Sequence, residues 1–232
     1  MEAVLTIDDL SSGNTPAIVD YLKEKGICAT MFAVGQNVER YPAEAVYAVK
    51  KGMILGNHSY SHPGFSSLTM DQAKEEIDKT EEILNRVYET AGVERRYRPF
   101  RFPYGDKGGT LKDELQLYLR TQGFHKLKDT QIFYAGYAKQ GLHEDIDTYW
   151  TFDFAEWQIP HHTGFTEQDV FKRMDEENPA DREQLFTPDA SHILLLHAHD
   201  ETEEIVPGYY KHFIDYLLKK GMQFRKPEFE IQ

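Results

Sequence analysis

Short apolar runs alternate with longer amphipathic stretches along nearly the whole chain, and that rhythm constrains the fold more than any other feature. Ala3–Ile7, Ala29–Val34, Met53–Gly56, Arg98–Phe102, Tyr149–Phe154, His192–Leu196 and Gln223–Arg225 read as strands. Helical patterns lie between them: one opens at Thr15-Pro16, with Thr15 as cap, and closes at Gly26, and others cover Pro42–Lys51, Met70–Ala91, Leu111–Thr121, Glu167–Glu177 and Tyr209–Lys220. Prolines stand in first turns, where no N–H is needed, and glycines just past the ends, where a left-handed residue stops the helix. Thr69 and Gln72 fit a capping box ahead of an Ile77, Ile83, Leu84, Val87 stripe. Residues 124–137 carry no clear pattern. Strand–helix alternation implies a parallel sheet covered by helices. At about 30 residues per βα unit, 232 residues hold seven or eight units, enough for a barrel. An open doubly wound sheet is the competing architecture. With no linker, repeat or low-complexity segment to divide it, the chain is expected to form a single domain over residues 1–232.

Composition narrows the partners. Thirty-nine acidic against 26 basic residues give a formal charge of −13, which repels nucleic acid and anionic membranes. No apolar run approaches the roughly 20 residues that span a bilayer, so no membrane insertion is expected. Cys28 is the only cysteine, which excludes an intrachain disulfide. The N-terminal stretch lacks the basic and apolar regions of a signal peptide. The expected compartment is therefore cytoplasmic for the chain as written, or extracellular for a mature domain trimmed from a precursor.

Polar residues gather where the expected strands end, as in parallel α/β folds that build sites at the carboxyl ends of strands. Asp8 and Asp9 follow the first strand, Asn57, His58 and His62 the third, and Arg101, Pro103 and Tyr104 the Arg98 strand. Asp153, Glu156 and Trp157 follow the Tyr149 strand, and His197 and His199 the last strong one. Bringing these groups together requires the first and last strands to be close, which favours the barrel. His58 and His62, four apart, share a face on a helical turn, and with one carboxylate they make a two-histidine, one-carboxylate metal set with open positions. Adjacent strand side chains point different ways, so one of Asp8 and Asp9 can hold a metal while the other faces a water. His199 is expected in the loop after the strand, outside the metal set.

The joint pattern resembles the polysaccharide deacetylase family, also called NodB-homology or carbohydrate esterase family 4. Thr6-Ile7-Asp8-Asp9 is similar to the family's first motif and Gly56-Asn57-His58-Ser59-Tyr60-Ser61-His62 to its second. Phe100-Arg101-Phe102-Pro103-Tyr104-Gly105, Asp153-Phe154-Ala155-Glu156-Trp157 and Leu194-Leu195-Leu196-His197 follow in order as the third, fourth and fifth.

The resemblance implies a distorted (β/α) barrel, TIM-barrel-like, with about seven parallel strands, in agreement with the unit count above. It implies Asp8 as general base, oriented by Arg101, and Asp9, His58 and His62 as ligands of one divalent metal ion. Zinc suits that donor set first, with cobalt, nickel or iron as alternatives. It further implies an oxyanion contact from the Tyr104 backbone N–H, His197 as general acid tuned by Glu156, and Trp157 and Leu195 around an acetyl methyl group. Leu10 in place of a common glycine, Phe102 in place of a frequent proline and Glu156 in place of the usual aspartate depart from the pattern, and the longer Glu156 puts its tuning role in question. The implied activity is metal-dependent hydrolysis of acetyl groups from carbohydrate, foremost N-deacetylation of GlcNAc-type sugars in chitin oligomers or peptidoglycan. An O-acetyl esterase acting on acetylated xylan and a catalytically silent sugar-binding module are the alternatives. The expected partner is an acetylated carbohydrate; no protein partner is legible.

Overall fold

The computed structural model of the chain describes residues 1–230. Among these, six strands form one parallel sheet: β1 (Glu2–Leu10), β2 (Ala29–Ala33), β3 (Ile54–Asn57), β4 (Phe152–Asp153), β5 (Ser191–His197) and β6 (Gln223–Phe224). Their order is β3-β2-β1-β5-β4, and β6 pairs with the first residues of β1, ahead of the point where β2 joins that edge. The helices are α1 (Thr15–Glu24), α2 (Gly35–Arg40), α3 (Pro42–Lys50), α4 (Met70–Ala91), α5 (Lys112–Thr121), α6 (Ala135–Lys139), α7 (Gln158–His161), α8 (Glu167–Asp175), α9 (Asp200–Ile205) and α10 (Tyr209–Lys219). No helix among the described residues is long and apolar enough to cross a membrane.

The wall closes into a distorted barrel, with six strands where the resemblance implies about seven and unit length seven or eight. The Arg98–Phe102 stretch is not a full strand: it makes one parallel bridge, Asn57 to Phe100. Pro99 and Pro103 flank that bridge and have no N–H to extend a ladder. The wall continues irregularly, since the Phe100 carbonyl accepts the Thr148 N–H at 2.8 Å and the chain from Thr148 leads into β4. β4 itself keeps only two residues of the Tyr149–Phe154 strand expected from sequence.

Alternation along the strands divides the interior in two. Ala3, Leu5 and Ile7 of β1 and Leu194 and Leu196 of β5 pack outward against α1 and α10, through Ile18, Leu22, Phe213 and Leu217. Leu5, Ile7, Leu194 and Leu196 are fully buried, and each such side chain contributes ~1.5–3 kcal/mol. The intervening residues face the barrel interior. Val4 and Ile193 meet Leu127, Ile132 and Tyr137 in a separate apolar cluster near one end. Further along come Thr6 and Leu195, and at the carboxyl ends Asp8 and His197, which are register partners across β1 and β5. The period of two that buries the sheet thus also points these two side chains into one cavity.

Helix termini follow the sequence signals with one correction. Thr69 and Gln72 form the capping box of α4, and Gly92 ends it at φ 69°. Thr15 is the first residue of α1, not its side-chain cap; its hydroxyl accepts the Ser12 N–H at 2.9 Å and shapes the loop that follows β1.

Gly56, in β3, has no room for a side chain. A Cβ there would lie 2.6 Å from Phe32 Cδ1 and 3.0 Å from the Pro99 carbonyl oxygen. Gly56→Ala is expected to destabilise the fold by about 1–3 kcal/mol through overpacking, measured by denaturant unfolding. An unchanged midpoint would mean that β2 and β3 separate freely.

Candidate metal centre and active site

Asp8 and Asp9 end up side by side because β1 bulges. Ile7 pairs with Met31 and Leu10 with Ala33, so β1 spends one more residue than β2 over this interval. Asp9 adopts a left-handed φ of 63°, and the extra residue re-aims its side chain beside that of Asp8. The neighbouring Asn37 of α2 donates its amide N–H to the Asp9 carbonyl at 3.0 Å.

His58 and His62 meet through a loop, not on a helical turn. Ser59 and His62 are both left-handed, at φ 66° and 59°. Asn57 Oδ1 accepts the Ser59 N–H at 2.9 Å, and Ser59 Oγ accepts the His62 N–H at 3.1 Å. Glu76 of α4 clamps the loop by accepting the Tyr60 and Ser61 N–H groups at 2.9 and 2.7 Å.

The result is a compact donor set. His58 Nε2 and His62 Nε2 lie 3.2 Å apart, and Asp9 Oδ1 is 3.8 and 3.3 Å from them. Tetrahedral coordination at roughly 2.1 Å spaces ligand atoms about 3.4 Å apart, so the triangle suits one ion. Asp9 Oδ1 is buried with no hydrogen-bond partner, an arrangement that costs energy unless a cation answers it. His58 Nδ1 is 2.8 Å from the Arg101 carbonyl and must donate there, which leaves Nε2 as a bare acceptor. Asp9, His58 and His62 can therefore hold a metal ion. Burial lowers His62 to a pKa of about 4, helped by the neighbouring His58 and His197 and opposed by Asp9 and Asp8, so its imidazole is neutral at pH 7. Burial alone would raise the Asp9 carboxyl, but the His199 hydrogen bond and the imidazoles of His62, His58 and His199 outweigh it and hold Asp9 far below the usual carboxylate range.

Asp8 and His197 face the same cavity, of about 520 Å³, that the metal triangle lines. Arg101, 1% exposed, donates from Nη1 to Asp8 Oδ1 at 2.8 Å and to Thr6 Oγ1 at 2.8 Å. Its Nε reaches the Thr148 carbonyl at 2.9 Å, so one guanidinium joins β1 to the irregular wall. Asp8 Oδ2 stands 3.4 Å from His58 Nε2. On the other side Glu156, fully buried, reaches His197 despite its extra methylene: Oε1 is 3.1 Å from Nδ1 and accepts the His197 backbone N–H at 2.6 Å. Burial pushes the His197 imidazole down, but the carboxylates of Glu156, Asp153 and Asp9 raise it to about 10.

A sequence profile of the polysaccharide deacetylase family matches residues 2–123, just over half of the chain. The chain belongs to the polysaccharide deacetylase family. A peptidoglycan-N-acetylglucosamine deacetylase from Bacillus cereus is 40% identical over 106 residues, covering 45% of this chain and 37% of the relative. The first curated relatives are matched over only 18% to 37% of their own length. A solved peptidoglycan N-acetylglucosamine deacetylase superposes with a TM-score of 0.66 at 25% identity, over 97% of this chain and 85% of the other. A pseudoenzyme of carbohydrate esterase family 4 from Bacillus anthracis superposes with a TM-score of 0.65 at 21% identity, over 96% of this chain and 62% of the other. This polysaccharide deacetylase fold therefore accompanies both named deacetylases and a named pseudoenzyme, and the side chains of the site separate the two.

Of the ten residues singled out from sequence, Asp8, Asp9, His58, His62, Tyr104, Trp157, Leu195 and His197 line the cavity of this family member. Arg101 and Glu156 stand behind the lining, in contact with Asp8 and His197. The Tyr104 backbone is left-handed at φ 58°, and its exposed ring packs edge-on to His62 with centroids 4.6 Å apart. Trp150, Asp153, His161 and His199 also line the cavity. His199 is the residue that sequence reasoning most clearly missed: it follows β5, as expected, yet its Nε2 is 2.7 Å from Asp9 Oδ2. The H-x-H spacing was its only signal. Non-glycine residues with positive φ concentrate in these segments, at Asp9, Ser59, His62, Tyr104 and Ala155. Such residues persist only where the surroundings over-determine them.

Proposed function

We propose that residues 1–232 form one catalytic domain that hydrolyses N-acetyl groups from a GlcNAc-type sugar with a divalent metal ion, zinc foremost. The observation that carries this reading is the pairing of the buried, unsatisfied Asp9 Oδ1 and two bare imidazole nitrogens with Asp8 and His197 around one cavity. A divalent ion on Asp9, His58 and His62 supplies Lewis acidity toward an acyl oxygen and acidifies water. Asp8 takes the proton of the attacking water. Arg101 fixes Oδ1 and leaves Oδ2 toward the cavity, so the carboxylate is oriented before substrate arrives. The Tyr104 backbone N–H contributes to the oxyanion contact. His197, kept protonated by Glu156, donates to the leaving amine, which departs poorly without a proton. Trp157 and Leu195 accept the acetyl methyl group and disfavour longer acyl chains.

Metal-loaded protein incubated with chitooligosaccharides or peptidoglycan fragments is expected to release acetate. Release from acetylated xylan alone would overturn the amide assignment, and none from any of the three would make the domain a silent sugar binder.

The His197 pair predicts a pH profile. A histidine that titrates near 6.5 when unfolded and near 10 in the fold stabilises the protein fully below about pH 6.5, and that contribution is lost as the pH rises toward 10. The alkaline limb of acetate release should follow the same group and lie well above pH 6.5. Glu156→Gln removes the strongest charge attraction on His197 and is expected to move that limb acidward by about one to three pH units. A limb that stays in place would free His197 from the mechanism.

A further inference from the structure

We propose that His199 is a positioning residue that confines Asp9 to a single ligand oxygen; the inference rests on the metal-binding part of the reading above. His199 Nε2 is 2.7 Å from Asp9 Oδ2, while Oδ1, the oxygen directed at His58 and His62, has no hydrogen bond. The two oxygens thus have separate assignments: Oδ2 accepts the imidazole N–H, and Oδ1 remains for the ion. His199 Nδ1 is buried without a partner, so the contact of Nε2 with Asp9 is the polar anchor of the ring. His199 stands outside the converging Asp9, His58 and His62 ligand atoms and meets the other oxygen of Asp9, so it acts through Asp9 and not on the ion.

The surrounding contacts explain why such a fastening is needed. Asp9 sits at φ 63° on the bulge, a left-handed conformation that a non-glycine residue keeps only where its surroundings fix it. Asn37 holds its carbonyl at 3.0 Å, and the segment after β5 holds the rest. Ala198 donates its N–H to the Asp8 carbonyl at 3.0 Å. Asp200 accepts the Gly13 and Asn14 N–H groups at 3.0 and 2.8 Å. His199 lies between these two anchors, so Ala198-His199-Asp200 grips the Asp8–Asn14 loop at three points, and only the His199 contact reaches a ligand side chain. A carboxylate kept monodentate leaves coordination positions for water and an acyl oxygen, whereas a carboxylate free to turn can occupy one of them with its second oxygen.

The test compares His199→Ala and His199→Gln with the parent protein. Affinity for zinc is measured by chelator competition, and the visible spectrum is recorded after cobalt substitution. His199→Ala is expected to keep one metal per chain, to weaken zinc binding by roughly 10–100-fold and to alter the cobalt spectrum. Acetate release should fall in kcat with KM little changed. His199→Gln, which restores an N–H near the Nε2 position, should recover most of the affinity and the parent spectrum. Parent affinity and spectrum in His199→Ala would overturn the proposal, as would a His199→Gln no better than the alanine variant, because then the donor is not what matters. The metal readouts separate the two readings: a parent chain that binds zinc but frees no acetate sinks the deacetylase function alone, and a parent chain that binds no zinc sinks the metal site itself.

Discussion

Asp8→Asn is expected to lower acetate release by about 10²–10⁴-fold while bound metal stays near one per chain. The asparagine oxygen can still accept the Arg101 Nη1 hydrogen bond that Asp8 Oδ1 accepts at 2.8 Å, so the packing around it survives. What is lost is the proposed capacity of Asp8 to take a proton from water. Asp9, His58 and His62, the proposed metal ligands, are untouched, so elemental analysis of the variant separates a lost base from a lost ion. Turnover equal to the parent would remove Asp8 from the reaction.

Arg101→Met carries the second large effect, and it acts on stability as well as rate. The guanidinium is 1% exposed and joins Asp8, Thr6 and the Thr148 carbonyl. Methionine fills much of the volume but leaves Asp8 a buried charge beside Asp9, a loss of about 3–5 kcal/mol when one partner of a buried pair is removed. For a chain of this size each kcal/mol lowers Tm by roughly 2–4 °C, so the melting point should fall by about 6–20 °C. Arg101→Met combined with Asp8→Asn should recover part of that loss, because no unpaired carboxylate remains at position 8. A melting point unchanged in Arg101→Met would show that solvent or an ion already compensates Asp8.

Much of this architecture is legible in the chain because strand and core patterns are local. The runs Ala3–Ile7 and His192–Leu196 fall within β1 and β5, and the residues of α4 carry both their cap and their apolar stripe in sequence. The Arg98 strand fails for a reason also written locally, in prolines whose weight is easy to underrate. The short helix Gly35–Arg40 has no apolar period to betray it, and its first residue is wedged against Tyr60 and Thr80 by tertiary packing. In the site, residue types and their order are readable, but the means of bringing them together are not. Nothing in Ile7–Leu10 announces a bulge, and the spacing of His58 and His62 suggests a helical turn where the chain uses two left-handed loop residues. His199 and Asn37 touch Asp9 from 190 and 28 positions away, and beyond the H-x-H spacing of His197 and His199 a single sequence carries no mark of these contacts.

The alternation along β1 and β5 has a consequence for how such proteins diverge. One set of positions, Leu5, Ile7, Leu194 and Leu196, answers to the helices outside, and the other, ending in Asp8 and His197, answers to whatever enters the mouth. Selection on folding and selection on turnover therefore act on interleaved but separate residues. Residues at the mouth can therefore be exchanged, and the chemistry there altered, without disturbing the leucines and isoleucine packed against the helices.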